Sequence, residues 1–260
     1  MVPGPMLNTR RDGNVQIIQL DDGKANALST AMLTAIGKAI ADAKDAGAVL
    51  LLGRDKIFSG GLDLREVLTL PAADFMRFLD LFHATFRALF AYERPMVCAV
   101  KGSAVAGGAI LLCTGDFRLG ARDQGVVGVN ESRLGVPFPA SAHEIVRTAL
   151  DAVSGQRALL FGELFTKDDA LKQGFFHALS DFGDLDALAM ERAKDAADIS
   201  SHAAAGIKAA LRGPALARMD ADKDRSHKAF VDRWTSPDGQ QRLQEAFAKI
   251  KAQKDKPKPA

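Results

Sequence analysis

Short apolar runs alternate with amphipathic segments over the first half of the chain. The apolar and β-branched runs predict five strands, at residues 14–20, 48–53, 96–100, 117–121 and 125–129. Runs that are wholly apolar, such as 48–53 and 96–100, are typical of parallel strands covered on both faces. The pattern of this half therefore indicates an α/β core.

Segments with helical spacing separate these strands. Ser29 has the position of an N-cap, and apolar residues follow it on one helical face as far as residue 40. Residues 107–113 predict a helix that begins at a glycine pair. The segment 74–90 places six large side chains on one face, which we interpret as core: Phe75, Phe78, Leu79, Phe82, Phe86 and Leu89.

Beyond residue 130 the pattern predicts mainly helices. They are expected at residues 141–150, 154–161, 167–172, 186–199, 202–212, 215–234 and 238–251. We therefore divide the chain into an α/β core over 1–200, a helical subdomain over 201–252 and a tail over 253–260. The tail is polar, charged and contains proline, so we expect it to be disordered.

Composition and charge exclude several classes of function. The chain has 260 residues, of which 47% are hydrophobic and 25% charged, as in an ordinary globular protein. A formal net charge of +2 is too small to imply a nucleic-acid partner or a membrane surface. No apolar run is long enough to span a bilayer, and the N-terminus lacks a signal-peptide pattern. We expect a cytoplasmic protein.

The cysteines and histidines give no sign of a metal site. Cys98 and Cys113 lie in apolar runs and are expected to be buried free thiols in a reducing compartment. The five histidines are scattered and share no zinc-ligand spacing with the cysteines. No metal is expected.

Candidate chemistry concentrates in two glycine-bearing loops that follow buried strands, at residues 54–64 and 101–111. Each has the order strand, turn, helix start, so backbone N–H groups are left without partners and can hold a negative charge. The glycines could instead serve tight turns alone. The loops fit neither a phosphate-binding Walker loop, because Gly108 replaces its lysine, nor a dinucleotide-binding fingerprint. One donor from each loop would suit the enolate of a thioester.

Glu131 is the candidate base for such a reaction. It lies between the apolar run 125–129 and the apolar, proline-containing stretch 134–139. A dry environment raises the pKa of a carboxyl group toward working pH, where it can accept a proton. A glutamate on a surface loop is the alternative explanation.

Four motifs in register resemble the enoyl-CoA hydratase/isomerase (crotonase) superfamily. They are "GKANALST" at 23–30, "IFSGGLDL" at 57–64, "VKGSAVAGGAILLCTGDFRLGA" at 100–121 and "NESRLGVPFP" at 130–139. The resemblance covers about residues 10–250. It implies an α/β fold in which a spiral of ββα units precedes a C-terminal helical trimerisation region, and hence a homotrimer or a dimer of trimers.

The resemblance also implies roles for individual residues. The N–H groups of Leu62 and Gly107 would form the oxyanion hole, and Glu131 would be the catalytic base. The substrate would be an acyl-CoA thioester, with no separate cofactor. Asp63 is expected to cap a helix, and Asp116 is expected to be structural. The residues expected along the coenzyme A path are Lys24, Ala25, Ala27, Leu28, Gly60, Leu62 and Gly107.

Two departures from the family pattern narrow the function. Hydratases of the family carry two glutamates; the second matches Glu131, but the first aligns with Ile110, which cannot accept a proton. Ala106 replaces the usual first glycine of the third motif. With one glutamate and the sequence "NESRLG" followed by "PFP", the site resembles Δ3,Δ2-enoyl-CoA isomerases. A hydratase with another acid (Glu66 or His143) and a non-catalytic acyl-CoA-binding protein remain alternatives.

The helices after residue 200 are expected to supply part of the subunit contacts. They carry apolar residues that could face neighbouring subunits or pack within the chain: Leu211, Leu216, Met219, Phe230, Trp234, Leu243 and Phe247.

Overall fold

A six-stranded sheet runs through the molecule. The computed structural model describes residues 6–122 and 124–254, with the backbone alone for 246–254. The strand order is β1 (Leu7–Asp12), β2 (Val15–Leu20), β3 (Ala48–Leu52), β5 (Met96–Val100), β7 (Phe117–Ala121) and β9 (Ala178–Ser180). β1 and β2 are antiparallel, and the other neighbours are parallel.

A second sheet of three short parallel strands carries the glycine-bearing loops. Its order is β4 (Ile57–Ser59), β6 (Ser103–Val105) and β8 (Val127–Gly128). β4 and β6 span only three residues each, too few for a periodic pattern, and the sequence prediction missed both. It also missed β1, a largely exposed edge strand of mostly polar residues, and β9.

Ten α-helices in the described ranges surround the two sheets. They are α1 (Thr30–Asp42), α2 (Leu64–Val67), α3 (Ala72–Ala91), α4 (Gly107–Cys113), α5 (Ala140–Ala149), α6 (Ala152–Leu159), α7 (Lys167–Lys172), α8 (Leu185–Ala197), α9 (Ser201–Thr235) and α10 (Pro237–Lys254). Ser29 caps α1 by accepting a hydrogen bond from the N–H of Met32, as predicted.

Apolar strands of the large sheet are covered on both faces, which confirms the prediction from their composition. One face of β2, β3, β5 and β7 packs against α8. The opposite face belongs to the main core, together with the predicted aromatic face of α3, which is buried. The two cysteines are buried and free, also as predicted.

The prediction of two helices at 202–212 and 215–234 is wrong, because α9 continues through Pro214. A proline inside a helix removes one hydrogen bond and normally kinks or ends it. Here the turns on both sides are anchored. Arg212 donates to the carbonyl oxygen of Phe90 at 2.8 Å, and Ala215 and Met219 are buried in the core.

Most of the apolar residues that were considered for subunit contacts are instead packed within the chain. Met219, Phe230, Trp234 and Leu243 are buried, and Leu216 is partly buried. Leu211 is 70% exposed, and the side chain of Phe247 lies outside the described residues. The boundary at residue 200 lies between the helices α8 and α9, and the main core contains residues from both sides of it.

The predicted disordered tail begins too early, because residues 253 and 254 form the end of α10; residues 255–260 lie outside the described part of the chain. None of the helices in the described ranges combines the length and apolarity that a membrane span requires.

Candidate active site

A cavity lies where the loops of the small sheet meet the helical layer, and the empty space among its lining atoms, including the part open to solvent, is about 320 Å³. The ten residues that line it are Leu62, Leu79, Phe82, Gly107, Ile110, Glu131, Phe138, Pro139, Ala142 and Phe230. The structure thus brings together the three residues that the sequence nominated for catalysis, Leu62, Gly107 and Glu131. They come from three separate segments of the chain.

The backbone N–H of Leu62 is directed away from its neighbouring segment. Leu28 and Leu62 form an isolated parallel bridge, in which Leu28 N–H donates to Gly61 O at 2.8 Å and Leu28 O accepts from Asp63 N–H at 3.2 Å. Since these two bonds use the groups on either side of Leu62, its own N–H points to the opposite side.

Gly107 brings a second backbone donor to the same place. It is the first residue of α4, where a helix leaves its N–H groups without intrahelical acceptors. A Cβ built on Gly107 would lie 3.8 Å from the amide nitrogen of Leu62 and 2.8 Å from Cδ1 of Leu28. The two loops are therefore in contact, and the absence of a side chain at Gly107 permits that contact.

Ala106 precedes α4 with φ +53° and ψ −129°, a conformation that glycine adopts far more readily than alanine. Its N–H donates to Gly128 O at 2.9 Å and its carbonyl accepts from Ala109 N–H at 2.9 Å. Both partners hold the strained residue in place, and its conformation sets the direction of the Gly107 N–H.

Asn26 and Ser59 fix the loop that precedes α1 against the small sheet. The buried Asn26 amide donates to Leu20 O and to Phe58 O, each at 3.0 Å, and accepts from Asp22 N–H at 3.0 Å. Ser59 donates to Asn26 O at 2.7 Å and accepts from Gly61 N–H at 3.2 Å. Neither residue was predicted to have a role, although Asn26 lies within the first motif.

The coenzyme A residues nominated from the sequence lie beside this loop. Gly60 N–H donates to Ala25 O at 3.0 Å, and both residues are exposed. Lys24 is exposed, and its carbonyl oxygen accepts from the guanidinium of Arg54 at 2.9 Å. Ala27 is partly buried and Leu28 is buried. Together these residues form an edge that leads from the surface to Leu62.

Two other carboxylates have structural roles, as predicted. Asp63 caps α2 by accepting from Arg65 N–H at 3.0 Å. Asp116 accepts from Met96 N–H at 2.7 Å and pairs with Lys208 at 2.7 Å and Arg212 at 2.8 Å. It therefore ties α9 to the start of β5.

Glu131 begins a short 3-10 helix, Glu131–Leu134, directly after the small sheet. Its Oε2 is buried and has no hydrogen-bond partner among the described residues. Burial raises the pKa of the Glu131 carboxyl to about 7, although backbone N–H groups of Glu131 and Asn130 oppose the rise. The group can therefore gain or lose a proton near neutral pH.

The rest of the lining carries no acid or base. In the described part of the chain, Glu131 is the only ionisable side chain among the ten lining residues. Ile110 is 2% exposed and forms part of the apolar wall. The other acids considered lie elsewhere: Glu66 bonds to Thr30, and His143 lies 3.5 Å from Glu144.

The aromatic residues Phe138 and Phe230 also line the cavity, which was not predicted from the sequence. Phe82 was correctly predicted as buried, but it lines the cavity as well. Periodicity cannot separate a side chain that packs in the core from one that faces a small internal cavity, because both are apolar and buried.

Comparison with known proteins places the chain among thioester enzymes. A family model described as "Enoyl-CoA hydratase/isomerase" matches residues 10–251. Human mitochondrial enoyl-CoA delta isomerase 1 is 25% identical over 245 residues, which cover 92% of this chain and 81% of the human protein. A Mycobacterium bovis protein named as a probable enoyl-CoA hydratase is 29% identical over 205 residues, 77% of this chain and 79% of that protein.

A solved structure confirms the predicted crotonase-like fold with its C-terminal helical region. The crystal structure of human mitochondrial delta3-delta2-enoyl-CoA isomerase matches with a TM-score of 0.91 at 24% identity, covering 96% of this chain and 99% of that one. Since the family model spans 242 of the 260 residues, the chain is an acyl-CoA enzyme that belongs to the enoyl-CoA hydratase/isomerase family.

Proposed function

We propose that the protein shifts the double bond of a 3-enoyl-CoA to give the 2-enoyl-CoA. The observation that carries this proposal is the single carboxyl group of Glu131 in a cavity whose other lining side chains are apolar. A 1,3-proton shift needs one group that can take a proton at one carbon and return it at another. A carboxyl with its pKa near 7 has both protonation states available for that task.

The reaction begins when the Glu131 carboxylate removes a proton from C2. The electron pair of the broken C–H bond moves into the thioester, and negative charge develops on its carbonyl oxygen. The N–H groups of Leu62 and Gly107 donate to that oxygen and stabilise the dienolate. The carboxylic acid of Glu131 then returns the proton to C4, and the double bond lies between C2 and C3. No atom is gained or lost, and no water is consumed.

Hydration is the second candidate, since one of the relatives above is named as a hydratase. Hydration of a 2-enoyl-CoA requires a water held against C3 by polar partners. A buried water typically needs two to four such partners, and Ile110 supplies none at the wall where the family's hydratases carry a glutamate. The lining therefore favours isomerisation. An acyl-CoA-binding protein without turnover would have no need of a buried, unpaired carboxyl.

The coenzyme A moiety of the substrate follows the edge formed by Lys24, Ala25, Ala27, Leu28 and Gly60 in this proposal. Exposed backbone there can bond to the pantetheine chain, and the Lys24 ammonium can pair with a phosphate. Coenzyme A arrives as part of the substrate, and the reaction uses no further cofactor.

Self-association into a trimer or a dimer of trimers is part of the proposal. Three exposed apolar residues lie close together: Ile199 just before α9, and Ile207 and Leu211 on α9. Such a patch is unfavourable on the surface of a monomer. Light scattering at micromolar concentration should give three or six times the monomer mass, and a monomer mass would refute this part.

The proposed reaction is tested on the unmodified protein with two substrates supplied separately, 3-hexenoyl-CoA and crotonyl-CoA, while both products are followed. We expect 3-hexenoyl-CoA to give 2-hexenoyl-CoA much faster than crotonyl-CoA gives 3-hydroxybutyryl-CoA. Efficient hydration without isomerisation would overturn the proposal and would require an acid from outside the lining. Binding of both thioesters without turnover would favour the non-catalytic alternative.

A further inference from the structure

Two of the aromatic rings that line the cavity are backed by a second layer of rings. Phe82 on α3 and Phe230 on α9 face the cavity. Behind Phe82 lies Phe86, stacked at 4.1 Å between ring centroids. Behind Phe230 lie Phe75 at 5.8 Å and Trp234 at 5.6 Å. The rings of Phe82 and Phe230 are therefore backed by a second layer of rings.

Exposure falls across the cavity from one side to the other. Leu62, Glu131 and Phe138 are partly exposed, so the cavity opens on their side. Phe82 is 3% exposed and Phe230 is 2% exposed, so they form the closed end. An acyl chain that enters past Leu62 and Glu131 is directed toward these two rings.

The closed end is held by contacts between the two helices that supply it. Arg87 on α3 donates two hydrogen bonds to Asp220 on α9, at 2.7 and 2.8 Å. Lys223 on α9 also pairs with Asp80 on α3 at 3.0 Å. A closely packed layer between two cross-linked helices has little room to yield to a longer chain.

We propose that Phe82 and Phe230 limit the length of the acyl chain, so that the substrates are thioesters of short, apolar acids. This inference rests on the proposed function for the identity of the thioester. The empty space of about 320 Å³ includes a part that is open to solvent, so the enclosed part available to an acyl chain is smaller than this. Apart from Glu131 its lining is apolar, so a hydroxyl or carboxyl group on the chain would lose its hydration without a partner.

Binding and turnover test the proposal separately. Affinities of saturated acyl-CoAs with four to sixteen carbons are measured through the fluorescence of Trp234, the single tryptophan of the chain, which stacks on Phe230. Affinity should rise about fourfold with each methylene until the chain meets the closed end, and then fall. For turnover, kcat/KM for 3-enoyl-CoAs should fall about tenfold or more once the chain exceeds that length.

The variant Phe82→Ala removes one ring of the closed end. The ratio of kcat/KM for ten-carbon over six-carbon substrate should rise about tenfold, and the break in the binding series should move to longer chains. Phe82→Leu, which keeps more of the apolar volume, should shift both in the same direction by less. Phe90→Ala is the matched control, because Phe90 is equally buried on α3 but does not line the cavity; its ratio should equal that of the parent.

Each outcome decides one of the two proposals. A parent enzyme that binds and turns over twelve- to sixteen-carbon chains as well as six-carbon chains overturns the length limit and leaves the isomerase in place. An unchanged ratio in both Phe82 variants also overturns it. A binding series that breaks at short chains, in a protein that isomerises no 3-enoyl-CoA, supports the length limit and overturns the proposed function.

Discussion

The two sides of the cavity are built from different parts of the chain. On one side, Leu62 and Gly107 offer backbone N–H groups from loops that follow the short strands β4 and β6. The other lining residues contribute side chains: Glu131 offers its carboxyl group near the opening, and Phe82 and Phe230 offer their rings at the closed end. The loops are fixed by backbone conformation and by glycines that permit close contact, whereas the closed end is fixed by packing between helices.

This difference predicts which substitutions each side tolerates. On the backbone side, a change that keeps the N–H and the local conformation should matter little, whatever happens to the side chain. On the side-chain side, the identity of one carboxyl decides the chemistry and the size of the rings decides the space.

The largest effect is expected for Glu131→Gln. The amide cannot accept the C2 proton, so kcat should fall by about 10²–10⁴-fold while acyl-CoA binding is kept. Steady-state rates with 3-hexenoyl-CoA and the affinity for hexanoyl-CoA measure the two quantities. Glu93→Gln is the control, since Glu93 is exposed and does not line the cavity. Near-normal turnover of Glu131→Gln would remove Glu131 from the mechanism.

A slightly smaller loss is expected when one backbone donor is deleted. Gly107→Pro removes the N–H, and losing one such donor typically reduces kcat by about 10²–10³-fold. Leu62→Ala keeps its N–H and should lose far less. Proline at 107 also constrains Ala106, so the unfolding midpoint is recorded with the rates. A folded Gly107→Pro enzyme with unchanged kcat would show that the charge develops elsewhere.

A pH effect on stability should arise between α3 and α9, the helices that carry Phe82 and Phe230. His83 and His227 are buried between α3 and α9 with ring centroids 5.7 Å apart, and burial lowers the pKa of both. The folded state therefore binds fewer protons than the unfolded state below the usual histidine pKa of about 6.5. Stability should be present above that pH and be lost as the pH falls toward the lowered values.

Urea unfolding between about pH 5 and 6.5 measures this effect, as the slope of the free energy of unfolding against pH. His227→Gln keeps a polar group of similar size but cannot titrate, so its slope should be smaller than that of the parent. An equal slope in the two proteins would show that other groups cause the pH dependence.

The smallest effect is expected at Ala106, on the backbone side. Its conformation costs about 1–3 kcal/mol for a residue other than glycine. Glycine would remove that strain and lose about 0.4–1 kcal/mol through the greater freedom of the unfolded chain. Ala106→Gly should therefore be more stable by about 1 kcal/mol, with kcat within about twofold of the parent. A destabilised variant would mean that the methyl group of Ala106 makes a contact worth more than the strain.

The sequence predicted the two sides of the cavity unequally, for physical reasons. The loops around Leu62 and Gly107 could be found because glycines at strand ends leave a recognisable pattern, and Glu131 because a charge between apolar runs is unusual. Phe138 and Phe230 could not be assigned to the cavity, since distant segments meet there only in the folded chain. The strands β4 and β6 were missed for a different reason, because three residues are too few to show a period.

The continuity of α9 illustrates a second limit of local patterns. The residues around Pro214 predict an end to the helix, and local propensity alone would place it there. Contacts with residues more than a hundred positions earlier in the chain, such as Arg212 with Phe90, hold the helix together instead. Tertiary packing outweighs propensity at this position.

The pH dependence of kcat/KM for 3-hexenoyl-CoA tests most directly whether one buried carboxyl moves the proton. This parameter reports the ionisation of groups in the free enzyme. Because burial raises the pKa of Glu131 to about 7 and the base must be ionised to accept a proton, kcat/KM should rise through a single ionisation near pH 7 and stay level above it. A bell-shaped profile would require a second acid, and a profile flat from about pH 5 to 9 would contradict a base whose pKa lies near 7.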